Sequence, residues 1–248
     1  MSIQLDYPMK SNGIYILSKV DMDVIAERLL KEYLPKALEF PQPVNIDYIL
    51  KEPLALDVKF RILSRSGSVL GAITFGDVKI PVYDADGHAA DEPFEDGIVI
   101  IDTQLDIPEQ LRRCRFTKAH ECSHRILHRT YHDPQRRAYA FRGAPPYIAC
   151  RKIEIFGQAN PPKMVSNWEE WQADTLAAAI LMPIDMFMTA TAGIFDKFGF
   201  RSFCIIERVS GHKKEIIDDL SKVFEVSHRA VELRMRQLGL ITSIDITA

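Results

Sequence analysis

The segment Ala119-His120-Glu121-Cys122-Ser123-His124 constrains this chain more than any other, because it sets two histidines four residues apart with a glutamate directly after the first. On a helix, positions four apart lie on one face a single turn from each other, so both imidazoles can reach one cation. Zinc, held at about 2.0–2.1 Å from nitrogen, suits that geometry. Glu121 projects to the side of such an ion, where a general base for an activated water belongs. The metal lowers the pKa of its water toward about 7, and the carboxylate moves the proton. The competing reading is a surface helix with two solvated histidines, so the surrounding chain has to decide.

With 248 residues, 47% of them apolar, the chain can bury a sizeable core as one large domain, or as one domain plus an appendage. No run approaches the roughly 18 apolar residues of a membrane span, and the first residues lack a charged-then-apolar leader pattern, so a cytoplasmic location without a membrane is expected. Cys114, Cys122, Cys150 and Cys204 are neither closely paired nor dense, which points to reduced thiols, with Cys122 a packing residue. The net charge of −3 hides an asymmetry: residues 112–152 hold eleven Lys/Arg against two acids, a local balance of +9. Such a field steers acidic polypeptides or nucleic acid, or else forms a solvated face of long side chains.

Asp21 to Leu34 reads as a helix capped by Asp21, and Asn45 to Leu50 as a short one. From Leu54 to Ile101 the apolar period becomes that of strands, at 54–63, 68–75, 78–83 and 98–101, with an acidic loop from Asp84 to Gly97. Asp84, Asp86 and Glu95 match three positions of a calcium loop, but His88 and Ala89 occupy places where that loop needs an oxygen ligand and a glycine. Ile107-Pro108-Glu109 reads as a helix start. That helix is expected to run to about Arg129, burying Leu111, Phe116, Ala119, Ile126 and Leu127. His128 continues the spacing of four, yet lies about 12 Å along the axis from His120, too far to share one tetrahedral ion, so a structural or supporting role is expected. Residues 131–162 are rich in breakers around a strand-like stretch at 147–156. Ser166 and Glu169 form a capping box for the next helix, which Pro183 stops.

A catalytic zinc site needs a third protein ligand and an open position. Glu154, Glu169, Glu170 and Asp174 are the carboxylates available downstream. Helical phase puts Glu170 on one face with Ala173, Asp174, Ala177 and Leu181, and the two alanines permit close approach to the motif helix. Glu169 shares the face of Gln172 and Leu176 and already has a capping role. Glu170 is therefore expected as the third ligand, with Asp174 accepting the free ring N–H of a ligating histidine.

These residues resemble the ImmA/IrrE metallopeptidases. His120-Glu121-Cys122-Ser123-His124-Arg125-Ile126-Leu127-His128 is similar to the family's His-Glu-x-Gly-His-x-x-x-His, with Ser123 where glycine is usual. Glu170-Trp171-Gln172-Ala173-Asp174-Thr175-Leu176-Ala177-Ala178-Ala179-Ile180-Leu181-Met182-Pro183 is similar to its Glu-x-x-Ala-Asn/Asp-x-Phe-Ala-Ala-x-Leu-Leu-Met-Pro, with Leu176 where phenylalanine is usual. The likeness spans most of residues 10–200. It implies a zinc-dependent, gluzincin-like endopeptidase that cleaves a specific helix-turn-helix transcriptional repressor in a bacterial or mobile-element regulatory system.

Lys213 to Leu240 reads as two helices, with Ser227 capping the second, in a helix-turn-helix-like pattern. From Gly211 to Ala248 six Lys/Arg balance six Asp/Glu, so a nucleic-acid partner is possible but not favoured over packing or partner docking. The expected fold is α+β: a zincin-like domain over residues 1–205, with a small, mostly antiparallel sheet beside the motif helix, and a helical module over 206–248. The expected site is Glu121 as catalytic base, His120, His124 and Glu170 as Zn2+ ligands, and Asp174 behind a histidine. Tyr131, Tyr139 and Tyr147 are equal candidates for stabilising the oxyanion. The rival expectation is a regulator of little or no turnover that binds a repressor or DNA through the basic stretch and the C-terminal module.

Overall fold

Ser18 starts the first helix by a reciprocal cap: its hydroxyl accepts from the Asp21 N–H at 3.3 Å, and the Asp21 carboxylate accepts from the Ser18 N–H at 2.7 Å. Helix α1 therefore spans Lys19–Tyr33, and Asp21 is its third residue instead of its cap. The computed structural model describes residues 5–134, 145–151, 165–200, 205–206 and 211–242. Glu154, Tyr139, Cys204 and the basic residues Arg136, Arg137, Arg142 and Lys152 lie outside them, as does the side chain of Ser166.

Asn45 caps α2 (Ile46–Lys51). Strands β1 (Asp57–Arg61), β2 (Val69–Thr74), β3 (Val78–Tyr83), β4 (Ala89–Phe94) and β5 (Ile98–Asp102) follow. After a 3-10 turn at Pro108–Gln110 comes the long helix α3 (Leu111–His132), then β6 (Tyr147–Arg151), α4 (Val165–Leu181) and α5 (Ile184–Lys197). The two-residue strands β7 (Ile205–Ile206) and β8 (Ile241–Thr242) pair in parallel, and α6 (Lys213–Phe224) and α7 (His228–Gln237) lie between them. The described chain is thus mixed α and β, with seven α-helices around a small sheet.

The main sheet has the order β1-β5-β2-β6. β2 runs antiparallel to both its neighbours, whereas β1 and β5 are parallel. Its two faces differ in cover. Leu70, Ile73, Val99 and Ile101 join the helical core, while Ala72, Ile98 and Ile100 pack with Ile80, Val82 and Phe94 of the β3–β4 hairpin. That hairpin corrects the expectation of an acidic loop from Asp84 to Gly97, since Ala89–Phe94 pairs with β3 throughout. β4 shows little apolar alternation because most of its side chains are exposed. Asp84 closes the turn, its carboxylate accepting from the backbone N–H groups of Asp86 and His88 at 3.0 and 2.8 Å.

Two further expectations change at helix ends. Leu111, expected in the core, is 55% exposed at the first residue of α3, whereas Cys114 in the same turn is buried. Pro183 does stop α4, yet it also serves as the N-cap of α5, a helix the sequence reading did not extend beyond that proline. The axes of these two helices bend by 65°. No single helix among the described residues is long and apolar enough to cross a membrane.

α6 ends on Glu225 in the left-handed conformation (φ 49°), and Ser227 caps α7 by accepting from the Ala230 N–H. Ile216, Leu220, Phe224, Val231 and Met235 belong to the same apolar core as α1, α3, α4 and α5. Phe224 packs on Phe187 with ring centroids 5.6 Å apart. Arg234, only 1% exposed, donates to the Met182 carbonyl at 3.0 Å and pairs with Asp23 of α1 at 2.5 Å.

Candidate metal centre

The regular turn of α3 stacks His120, His124 and His128 on the side that faces α4, and α4 approaches closely because Ala173 and Ala177 are fully buried small residues. His120 Nε2 and His124 Nε2 are 2.9 Å apart. Glu170 completes the group, with Oε2 at 3.3 Å from His120 Nε2 and Oε1 at 3.6 Å from His124 Nε2. Donor atoms around a tetrahedral zinc with bonds of about 2.0–2.1 Å stand about 3.3 Å apart, so these separations fit one ion without rearrangement of the backbone. His120, His124 and Glu170 thus form a buried group able to hold a metal ion.

Each histidine has its other nitrogen occupied. His120 Nδ1 lies 2.9 Å from Asp174 Oδ1, so a proton there is held by a carboxylate and Nε2 keeps its lone pair. His124 Nδ1 lies 2.9 Å from His128 Nδ1, and His128 Nε2 lies 2.9 Å from Gln172 Oε1. With His124 Nε2 free to ligate, Nδ1–H donates to His128 Nδ1, and His128 Nε2–H donates to Gln172 Oε1. The Gln172 amide in turn donates to the Tyr15 carbonyl at 2.9 Å. The chain of bonds gives each of these ring N–H groups an acceptor and fixes both tautomers. Burial depresses the pKa of His124 well below the ordinary imidazole value and that of His128 to about 4, which keeps both rings neutral. Burial also opposes a charge on His120, but Cys150, Asp174 and Glu170 outweigh it and raise its pKa. One turn further, His132 bonds Glu169 Oε1 at 2.7 Å and the Pro145 carbonyl at 2.9 Å, so Glu169 contacts the end of α3.

Glu121 stands apart from this satisfied network. It is 0% exposed, and neither carboxylate oxygen has a hydrogen-bond partner among the described residues. Burial, opposed by His120 and aided by Glu170, pushes its pKa up to about 8. The space it fills exists because β2 carries glycine opposite it: a Cβ at Gly71 would lie 2.5 Å from Glu121 Oε1 and 2.8 Å from Thr117 Cγ2. Sequence reasoning missed Gly71, although a glycine inside a strand is a known mark of close approach. Cys150 of β6 pairs in register with Gly71 and shares a hydrogen bond with His120. Cys150, His120 and Glu121 each offer a ligand atom within 4.8 Å of the others. Burial pushes the Cys150 thiol up to about 12. Cys114, Cys122 and Cys150 are not joined in disulfides, and Cys122 is fully buried in the core.

Four cations of α3 are tied down. Arg112 donates to Ser221 Oγ, Arg115 to the Val44 and Glu225 carbonyls, and Lys118 to Asp47. Arg125 makes a forked pair with Asp96 at 2.6 and 2.9 Å. These residues join α3 to its neighbours instead of forming a solvated basic face. Tyr131 packs edge-on against His132, and Tyr147 packs on the hairpin side of the sheet. A second group, Asp84, Asp86 and His88, is exposed at the hairpin turn. Compared with models of protein families and with curated proteins, the chain matches none.

Proposed function

We propose that this chain is a zinc-dependent endopeptidase, similar in its site to the ImmA/IrrE metallopeptidases and zincin-like in architecture, that cleaves a specific helix-turn-helix repressor. One observation carries the reading: Glu121, a buried carboxylate with no hydrogen-bond partner among the described residues, adjoins a three-donor group of two histidines and a glutamate. A purely structural zinc site is closed by its ligands and has no use for an unsatisfied carboxylate beside it. Zinc is the ion that two imidazoles and one carboxylate in near-tetrahedral separation suit best, with His120 giving up its second ring proton on ligation, and when bound it would polarise the scissile carbonyl and acidify water.

The protein's own groups divide the remaining work. Asp174 and the His128–Gln172–Tyr15 chain hold the two ligating imidazoles in the tautomer that exposes Nε2. Glu121 takes a proton from the attacking water and returns it to the departing amide nitrogen; a positioned acid–base group of this kind contributes about 10²–10⁴-fold. Positive charge at the cluster favours its ionised form, as His120 already does. Among the described residues β6 is an edge strand of the main sheet, as β1 is, and an extended substrate beside it would pair through backbone hydrogen bonds.

The test is cleavage of a proteome-derived peptide library by the zinc-loaded wild type and by Glu121→Gln, read by mass spectrometry. Wild-type fragments that vanish in a variant still holding one zinc per chain support the endopeptidase. Equal inactivity of two zinc-loaded proteins, with a repressor still inactivated in cells by both, transfers the function to binding without turnover.

A further inference from the structure

The basic stretch of the sequence has one member that the fold leaves unengaged. Six cations lie on α3, and five of them reach neighbours: Arg112, Arg115, Lys118 and Arg125 as above, and Arg129 toward Asp96 and Asp133 at 3.4 Å each. Arg113 is the sixth. Its carbonyl accepts from the Thr117 hydroxyl at 3.1 Å, but its partly buried side chain has no hydrogen-bond or ion-pair partner among the described residues. Helical phase decides where it stands. Residues advance about 100° each, so seven and eleven positions bring the direction of Arg113 to within about 20° of those of His120 and His124. Arg113, Thr117, His120 and His124 therefore form one stripe along α3, with Arg113 about 10 Å before His120. Thr117 lies against β2, where its Cγ2 would stand 2.8 Å from a Cβ at Gly71, the position paired with Cys150 of the edge strand β6. The stripe thus leads from the three-donor group along the strands beside which an extended chain would lie.

We infer that Arg113 is a specificity-determining residue, one that pairs with a substrate carboxylate a few residues to one side of the scissile bond. The inference rests on the endopeptidase reading above and names the substrate class, acidic polypeptide segments. A guanidinium is charged at every working pH and presents a planar fork that fits a carboxylate by two parallel N–H···O bonds. An extended chain advances about 3.3 Å per residue, so the offset of about 10 Å corresponds to about three residues. The preference is one-sided because Arg113 stands at the N-terminal end of α3, whereas Arg125 and Arg129 beyond the histidines are already paired with Asp96. No acid of the described chain occupies the guanidinium, so a substrate carboxylate meets no internal competitor there.

The experiment compares zinc-loaded wild type, Arg113→Ala and Arg113→Glu on a proteome-derived peptide library, with zinc content and cleavage sites both read by mass spectrometry. Wild-type sites are expected to be enriched in Asp or Glu at one position about two to four residues from the cleaved bond. That enrichment is expected to disappear in Arg113→Ala and to turn toward Lys or Arg in Arg113→Glu, with one zinc per chain in all three. A companion measurement needs no variant to fold. Wild type is expected to cleave an enriched peptide about tenfold more efficiently in kcat/KM than the same peptide with Asn or Gln in place of the acid, mainly through KM. Wild-type cleavage without an acidic preference, or with a preference unchanged in Arg113→Ala, overturns the role of Arg113 and leaves the endopeptidase standing. A wild type that takes up zinc and cleaves nothing overturns both.

Discussion

The α3–α4 centre and the α6–α7 pair are both rich in ionisable side chains, and they dispose of them in opposite ways. At the centre the groups are buried, and their partners come from segments far apart in the chain: His120 with Asp174, His128 with Gln172, His132 with Glu169. On α6 and α7 the pairs lie within the two helices and at the surface, as in Lys222–Asp218, His228–Asp218, Lys213–Glu232 and Arg236–Glu232. Buried networks penalise the loss of any member, because the remaining polar group stays desolvated. Surface pairs contribute about 0–1 kcal/mol each and are screened by salt. The centre is thus organised to hold geometry, whereas the helical pair is joined to the body by apolar contact, by polar contacts from Arg112, Arg115 and Lys197, and by one buried ion pair as the exception, that of Arg234 with Asp23.

That exception offers the largest way to break the comparison. Arg234→Ala leaves Asp23 without its buried partner and the Met182 carbonyl without a donor, and is expected to cost about 3–5 kcal/mol in urea unfolding. Replacing both charges, as Arg234→Met with Asp23→Leu, is expected to recover most of the loss, because the desolvation penalty disappears with the pair. A cost below about 1 kcal/mol for the single variant would put Arg234 in the same class as its surface neighbours.

Gly71→Ala sharpens the contrast from the sheet side. The added methyl meets Glu121 and Thr117, neither of which can turn away into solvent, so overpacking of about 1–3 kcal/mol is expected, together with displacement of the Glu121 carboxylate. Thermal unfolding gives the first quantity, and the cleavage rate at constant zinc content gives the second. A fully active, equally stable variant would show that the close approach of β2 to α3 is not what positions Glu121.

A smaller effect is expected from the groups behind the histidines. Asp174→Ala and Gln172→Leu are each expected to weaken zinc about 10–100-fold, read by competition with a chelating dye, with little change in the fold of the metal-free chain. Asp174 acts on His120 directly, whereas Gln172 acts on His124 only through His128. The two losses are therefore expected to be unequal, with Asp174 the larger. If Gln172→Leu has no effect, the relay through His128 orders the metal-free protein only.

What could be read from the sequence follows the same division. His120, His124 and Glu170 are found by helical phase alone, a local signal that survives any arrangement of the rest of the chain. Gly71 and Cys150 are brought to Glu121 by the register of β2 against β6, and no local pattern encodes a register. Tyr15 enters through its backbone carbonyl, which carries no side-chain signal at all. β4 was hidden because its outward side chains lack the alternation by which strands are recognised, and the cap of α1 because Ser18 and Asp21 each supply one half of it. The cations of α3 suggested a charged surface by count, and only their partners reveal that they tie elements together.

The surface class is sharpened by the smallest effect, that of Glu232→Gln. Partial burial works to raise the Glu232 pKa, but hydrogen bonds from Lys213 and Arg236 prevail and lower it. A carboxyl whose folded pKa lies below its unfolded value stabilises the fold above the unfolded pKa, and that contribution fades as pH falls through the folded value. Wild type is therefore expected to exceed the variant slightly near pH 7, by no more than about 1 kcal/mol, and to converge with it in strong acid. Chemical denaturation across that range, at low and high salt, measures the difference. A gap that persists in acid cannot come from the ionised carboxylate, and would show that Glu232 is held by packing, which would move this part of α7 into the class of the buried centre.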